Sequence, residues 1–175
     1  VSLALYFAER NKGQFKDYFL TFTDRSRLQK IHGNTLSERM RSIESSDWAM
    51  STSLQSAFDA ILNAAKQGNA TPDEMPSTLY IISDMQFNQA TNANDKTNLE
   101  AAAEKFKEAG YELPHVVFWN CNAYGKDSPA TMYDDRVTLV SGSNQSTFQF
   151  VVEGKSPMDS MLDILNSERY AKIVI

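Results

Sequence analysis

The stretch LYIISDMQFN, residues 79–88, decides the fold. Leu79, Tyr80, Ile81 and Ile82 are apolar without alternation, the pattern of a strand covered on both faces, as in a parallel sheet. Asp84 arrives where such a strand leaves the sheet, and open α/β sheets bind their ligands at that edge. Asp84 therefore has two readings. It serves the turn after the strand, as Asp often does, or it is one ligand of a site gathered from several loops.

Outward from this stretch the chain alternates helix and strand patterns. Upstream, LQSAFDAILNAAKQG (54–68) carries Leu54, Phe58, Ile61, Leu62 and Ala65 on one helical face and stops at Gly68. LSERMRSIESS (36–46) has Leu36, Met40 and Ile43 at the spacing of a short helix with one buried stripe, and DWAMSTS (47–53) separates the two. QFKDYFLTFTD (14–24) reads as a strand, and RLQKIHG (27–33) as an antiparallel edge strand folded back by the TDRS turn. VSLALYFAERNKG (1–13) is an amphipathic helix pattern with no cap before it, which leads us to expect polypeptide upstream of Val1. Downstream, LEAAAEKFKEAGY (99–111) is a helix, PHVVFWN (114–120) a continuous apolar strand and RVTLVSG (136–142) a further strand. SPMDSMLDILNSERY (156–170) is a helix with Ser156 as cap and Pro157 at its first position. This order predicts a mostly parallel sheet wrapped by helices, without internal repeats.

Composition narrows the function classes. A length of 175 residues suits one domain with a sizeable core. A net charge of -5 without a basic cluster argues against a phosphate-dominated nucleic-acid surface, so RNA contact is expected only through a larger parent protein. Cys121 has no partner for an internal disulfide, and with only His32 and His115 beside it there is no zinc-type cluster, which fits a reducing, cytoplasmic setting. No apolar run is long enough to span a bilayer as a helix, so no membrane partner is expected.

FLTFTD (19–24), DWAMSTSLQSAFDAIL (47–62), LYIISDMQF (79–87) and HVVFWN (115–120) together resemble a von Willebrand factor A-type domain. The resemblance is closest to the A-like domain at the C-terminal end of a family of large uncharacterised intracellular proteins, and more distant to the Ro-type RNA-binding proteins. It covers nearly the whole chain, residues 1–175, and implies a Rossmann-like α/β fold with a mostly parallel central sheet flanked by helices. It also implies a metal-ion-dependent adhesion site made of a D-x-S-x-S loop, a loop Thr and an Asp after the fourth strand. Thr52 within MSTS matches the Thr and Asp84 within ISDMQF matches the Asp, with Ser51 and Ser53 flanking Thr52 as holders of a metal-bound water. The implied ion is Mg²⁺ or Mn²⁺, because hard divalent cations take hydroxyl, carboxylate and water oxygens and leave a position for a partner's carboxylate. The D-x-S-x-S loop and the first strand do not occur in this sequence, so the resemblance implies an N-terminally truncated domain with an incomplete site. The absent strand would lie between FKDYFLTF and TLYIIS, and direct pairing of those two is the expected way to satisfy their backbones.

The same residues have plainer readings. Thr52 suits the N-cap of the helix starting near Leu54. Asp24 belongs to an ordinary turn, while Gln86 and Asn88 follow Asp84 closely enough to line a rim. Trp48 is expected to pack down the loop before Thr52, and Trp119 to lie in a buried strand. Neither His32 nor His115 has a Cys or acid at ligand spacing, and Cys121 lacks an adjacent His to activate it. The favoured function is a non-enzymatic binding module that holds a protein partner or another part of its parent chain. A metal-assisted phosphohydrolase is the alternative, but ISDMQFN has no Gly-rich phosphate loop, paired acid or placed Lys. A scaffold that has lost its binding edge is the third class.

Overall fold

The computed structural model of this protein describes residues 1–21, 26–46, 48, 53–83, 98–121, 135–154 and 157–170. Three parallel strands, β3 (Thr78–Ser83), β4 (His115–Asn120) and β5 (Val137–Ser141), pair in that order, with Ile81 opposite Phe118 and Phe118 opposite Leu139. In the central strand every residue from Val116 to Asn120 is buried, as the unbroken apolar run predicts.

Side chains alternate across the sheet and divide the core into two layers. Val116 and Phe118 join Phe58 and Leu62 of α3 (Leu54–Gln67) and Leu99 and Phe106 of α4 (Asn98–Glu108) on one face. Val117 and Trp119 join Leu3 and Phe7 of α1 (Ser2–Arg10) and Phe148 and Val151 of α5 (Gln145–Glu153) on the other. The result is a mixed α/β fold with a three-stranded parallel sheet flanked by helices. Each fully buried large apolar side chain contributes roughly 1.5–3 kcal/mol relative to exposure. Helix α5 is an addition to the elements expected from sequence. Asn144 caps it by accepting the Thr147 N–H at 2.8 Å, and Gly154, at φ 61°, ends it in the left-handed conformation that glycine adopts without strain. Helix α6 (Pro157–Leu165) follows where expected, although its proposed cap Ser156 lies outside the described residues.

Two short strands, β1 (Tyr18–Leu20) and β2 (Leu28–Lys30), form a separate antiparallel pair. β1 is shorter than QFKDYFLTFTD suggested, because Gly13–Phe15 makes a turn of 3-10 helix and Asp17 sits at φ 64°. Asp17 is held there by Arg39, whose Nη2 donates to its Oδ1 at 2.7 Å, and by the Ile31 N–H, which donates to its carbonyl at 2.8 Å. Arg39 belongs to α2 (Leu36–Glu44), which starts on a capping box between Thr35 and Glu38 and buries Ile43 against Leu5, Ala8, Phe19 and Ile31.

The expected direct pairing of β1 with β3 is not what the structure has. Among the described residues the two-stranded and three-stranded sheets are not paired with each other. The reason lies in the helices that cover both. Phe19 packs into the layer of α1 and α2 while Leu20 and Leu28 pack against the α3 layer, so both sheets dock to shared layers with their edges held apart. Between them lies an apolar slot of about 420 Å³. Among the described residues no helix is long and apolar enough to cross a membrane.

Candidate functional site: the carboxyl edge of the sheet and the slot beside it

The polarity of α3 follows from two lengths and one hydrogen bond. Its 14 residues span roughly 21 Å, and the 6 residues of β3 span roughly 20 Å. The Tyr111 hydroxyl, just before β4, donates to the Ala70 carbonyl just after α3 at 2.9 Å, tying the end of the helix to the amino edge of the sheet. The start of α3 therefore lies at the opposite, carboxyl edge. There Ser53 caps the helix by accepting the Ser56 N–H at 3.3 Å, and Ser56 Oγ in turn accepts the Ser26 N–H at 2.7 Å. Sequence assigned the cap to Thr52; it belongs to Ser53, one residue later.

Thr21, Ser26 and Asn120 are the buried polar residues among those described. Thr21 follows β1 and its hydroxyl accepts from Gln29 Nε2 at 2.9 Å; Ser26 touches the first turn of α3; Asn120 ends β4. All three belong to this edge, a concentration of hydrogen-bonding groups that the apolar interior of the sheet does not share. Of the residues proposed for the metal site, Ser53 stands here, while Thr52 and Asp84 lie outside the described residues. So do Ser51, Asp24, Gln86 and Asn88. The described neighbours of Thr52 and Asp84 in the chain are Ser53 and Ser83, the last residue of β3. Among the described residues no three His, Cys, Asp or Glu groups come together as a metal cluster.

The remaining singled-out residues are dispersed. Trp119 is buried and its indole N–H donates to the Gly142 carbonyl at 2.7 Å. Trp48 is 53% exposed, so it does not pack down as expected, although its indole N–H reaches the Ile43 carbonyl at 3.1 Å. His115 lies at the amino edge, where its Nε2 and Thr138 Oγ1 are 2.8 Å apart beside a cavity of about 140 Å³ under α5. The His32 side is fixed through its backbone N–H, which donates to Ser42 Oγ at 3.0 Å. Cys121 follows β4 at the carboxyl edge, and burial pushes its thiol pKa up.

The slot lies where the resemblance put the absent strand, and it has four walls. β1 and β3 form its sides, while Leu3, Ala4 and Phe7 of α1 cover one face and Ala57 and Ile61 of α3 the other. Phe7 stacks on Tyr80 with ring centroids 3.9 Å apart, fixing α1 over β3. Backbone direction follows from the ladders. The His115 N–H donates to the Ser77 carbonyl and the Cys121 N–H to the Ser83 carbonyl, so Thr78, Tyr80 and Ile82 turn their own N–H and C=O groups away from β4. On the other side the Ile31 to Asp17 bond sets the phase, and Tyr18 and Leu20 turn theirs away from β2. Both sets face the slot, where β1 and β3 have no strand partner among the described residues. Such groups cost about 1–3 kcal/mol each when left dry.

A parallel sheet with its polar groups gathered at the carboxyl edge belongs to the broad α/β class, and sequence comparison gives the family. The match covers residues 1–171, and the chain belongs to the family described as "Domain of unknown function (DUF7788)". It is also similar to "Uncharacterized protein L728" of Acanthamoeba polyphaga mimivirus, with 30% identity over 168 residues. That alignment takes in 94% of this chain and 29% of the viral protein, so the chain spans less than a third of that relative's length. No solved structure matches it.

Proposed function

We propose that this chain is a binding module with the frame of a von Willebrand A-type domain, holding a protein partner or another part of its own longer polypeptide at the carboxyl edge of the sheet. The observation that carries this reading is the gathering of Thr21, Ser26, Ser53 and Asn120 at the edge where β3 ends, one residue before Asp84. Thr52 and Asp84 are the proposed ligands of Mg²⁺ or Mn²⁺, and Ser53 belongs to the metal site as the holder of a metal-bound water. The donor set fits such an ion: one carboxylate and one hydroxyl are hard oxygens, and so few protein ligands leave room for the waters that Mg²⁺ keeps, one of them held by Ser53, and for a carboxylate from a partner. Bound there, the ion supplies a positive charge for that carboxylate. Ser53 keeps its capping role, since a hydroxyl oxygen has a second lone pair.

Calorimetric titration of Mg²⁺ and Mn²⁺ into the full-length polypeptide tests the reading. Binding is expected in the parent protein, with at least tenfold weaker affinity in Asp84→Ala and an unchanged circular dichroism spectrum. Equal affinity in the variant, or no binding in the parent, would remove the metal from the proposal.

A further inference from the structure

We propose that the outer edge of β5 pairs with the same edge of a second copy of this chain, joining two three-stranded sheets into one about a two-fold axis at Leu139. The backbone sets the geometry. The Val116 N–H donates to the Arg136 carbonyl at 2.8 Å and the Gly142 N–H to the Asn120 carbonyl at 2.9 Å, so Thr138 and Val140 turn their N–H and C=O groups toward β4. Val137, Leu139 and Ser141 therefore turn theirs outward, where β5 has no strand partner among the described residues. Leu139 is 43% exposed there, and Ser141 is exposed as well.

The sequence leaves this edge unguarded. Sheet edges are ordinarily kept from pairing by charged side chains, proline, bulges or shortness. From Val137 to Ser141 the strand VTLVS has no charge and no proline, and its register with β4 runs without a bulge. The opposite outward edge, on β2, is guarded: it has 3 residues, ends on Lys30 and follows Arg27. The inner edges of β1 and β3 lie between α1 and α3. Among the described residues, β5 is thus the edge open to another chain.

Self-complementarity selects a second copy as the occupant. In an antiparallel pair centred on Leu139, Leu139 faces Leu139 of the second copy and Val137 faces its Ser141, so every outward residue of each strand exchanges both hydrogen bonds. A pair centred on Thr138 or Val140 sets one outward residue of each β5 beyond the end of the other. The Leu139-centred register also puts Arg136 opposite Gly142 and Asp135 opposite Ser143, so no like charges meet. The two Leu139 side chains lie on the face shared with Phe118, with Cβ atoms about 5.5 Å apart, and cover each other. Such a contact uses the same patch on both molecules and closes at two copies. Because the paired strands run antiparallel, the carboxyl edges of the two copies point in opposite directions, and the dimer offers its two candidate sites to separate partners. The pairing itself does not depend on what those sites hold.

Sedimentation velocity on the full-length polypeptide tests it. A five-residue edge makes a small interface, so the parent is expected to pass from monomer to dimer over about 1–100 μM. Leu139→Lys and Leu139→Glu are each expected to remain monomeric over that range, because like charges would face each other across the axis. Their circular dichroism is expected to be unchanged, since the side chain is 43% exposed in one copy. An equal mixture of the two variants is expected to dimerise again, since opposite charges then meet; a role of Leu139 in the fold of one copy would not produce that rescue. A monomeric parent overturns the proposal, as does a dimer that either variant keeps or a mixture that stays monomeric. As a second measure, which needs no variant, residue-resolved hydrogen exchange in the parent is expected to slow about tenfold or more at the Leu139 and Ser141 amides as concentration rises, while the Val140 amide, bonded to β4, holds constant. Exchange at Leu139 that does not change with concentration counts against the pairing.

Discussion

Glu38 shows how much one side chain does at a helix start. Its Oε2 accepts the Asn34 N–H at 2.8 Å and the Thr35 N–H at 3.1 Å, while Thr35 Oγ1 accepts the Glu38 N–H at 3.3 Å. The Asn34 N–H first, and then the Thr35 N–H and hydroxyl, hold the carboxyl below its ordinary 4.5. A carboxylate whose folded pKa is depressed contributes stability above the ordinary value and loses it as pH falls through the folded one. Thermal melts between pH 6 and pH 3 are thus expected to show a loss of Tm below about pH 4.5, with a shallower slope in Glu38→Gln. At neutral pH, Thr35→Ala is expected to cost about 1 kcal/mol in chemical denaturation, the usual value of an N-cap. No change in either melt would mean that the capping box does not form in solution.

At the scale of elements, α3 carries most of what couples sequence to fold. Phe58 is fully buried between the α3 and β4 layers, and Phe58→Ala is expected to cost about 3–5 kcal/mol in urea titration. Lys105 of α4 pairs with Asp59 of α3 at 2.7 Å, yet both are about half exposed, so Lys105→Ala should cost less than about 1 kcal/mol. A reversed ranking of the two variants would refute this account of how α3 is held. The 3.6-residue period of α3 and the unbroken apolar runs of β3 and β4 were legible in the sequence because α3 buries one continuous face, β4 is buried from Val116 to Asn120 and no residue of β3 is exposed. Helix α5 was not, because Thr147, Phe148, Phe150, Val151 and Val152 favour strands locally and only packing against Val117 and Trp119 selects the helix. Asn144 and Gly154, its cap and stop, were the available signals. The N-cap of α3 slipped by one residue because Thr52 and Ser53 are adjacent hydroxyls with nearly equal capping preference.

The separation of the two sheets is a property of the whole molecule. Nothing in FKDYFLTF or TLYIIS says whether the two strands touch; that depends on α1 and α3, which pack against both sheets and set the gap. The proposed metal site and the place of the slot both came from the resemblance, whereas the slot's staying open, where direct pairing was expected, leaves no signature in local spacing. The two tryptophans convert this arrangement into an optical instrument. Trp48 lines the slot and is 53% exposed, whereas Trp119 is 1% exposed under α5. Emission from residues 1–175 should therefore contain a red-shifted component that iodide quenches and a blue-shifted component that it does not reach, and Trp48→Phe should remove only the first. Anything that fills the slot beside Trp48 should dim its response to iodide while the colour of Trp119 holds steady, so a cuvette reading in seconds would tell an open slot from a filled one.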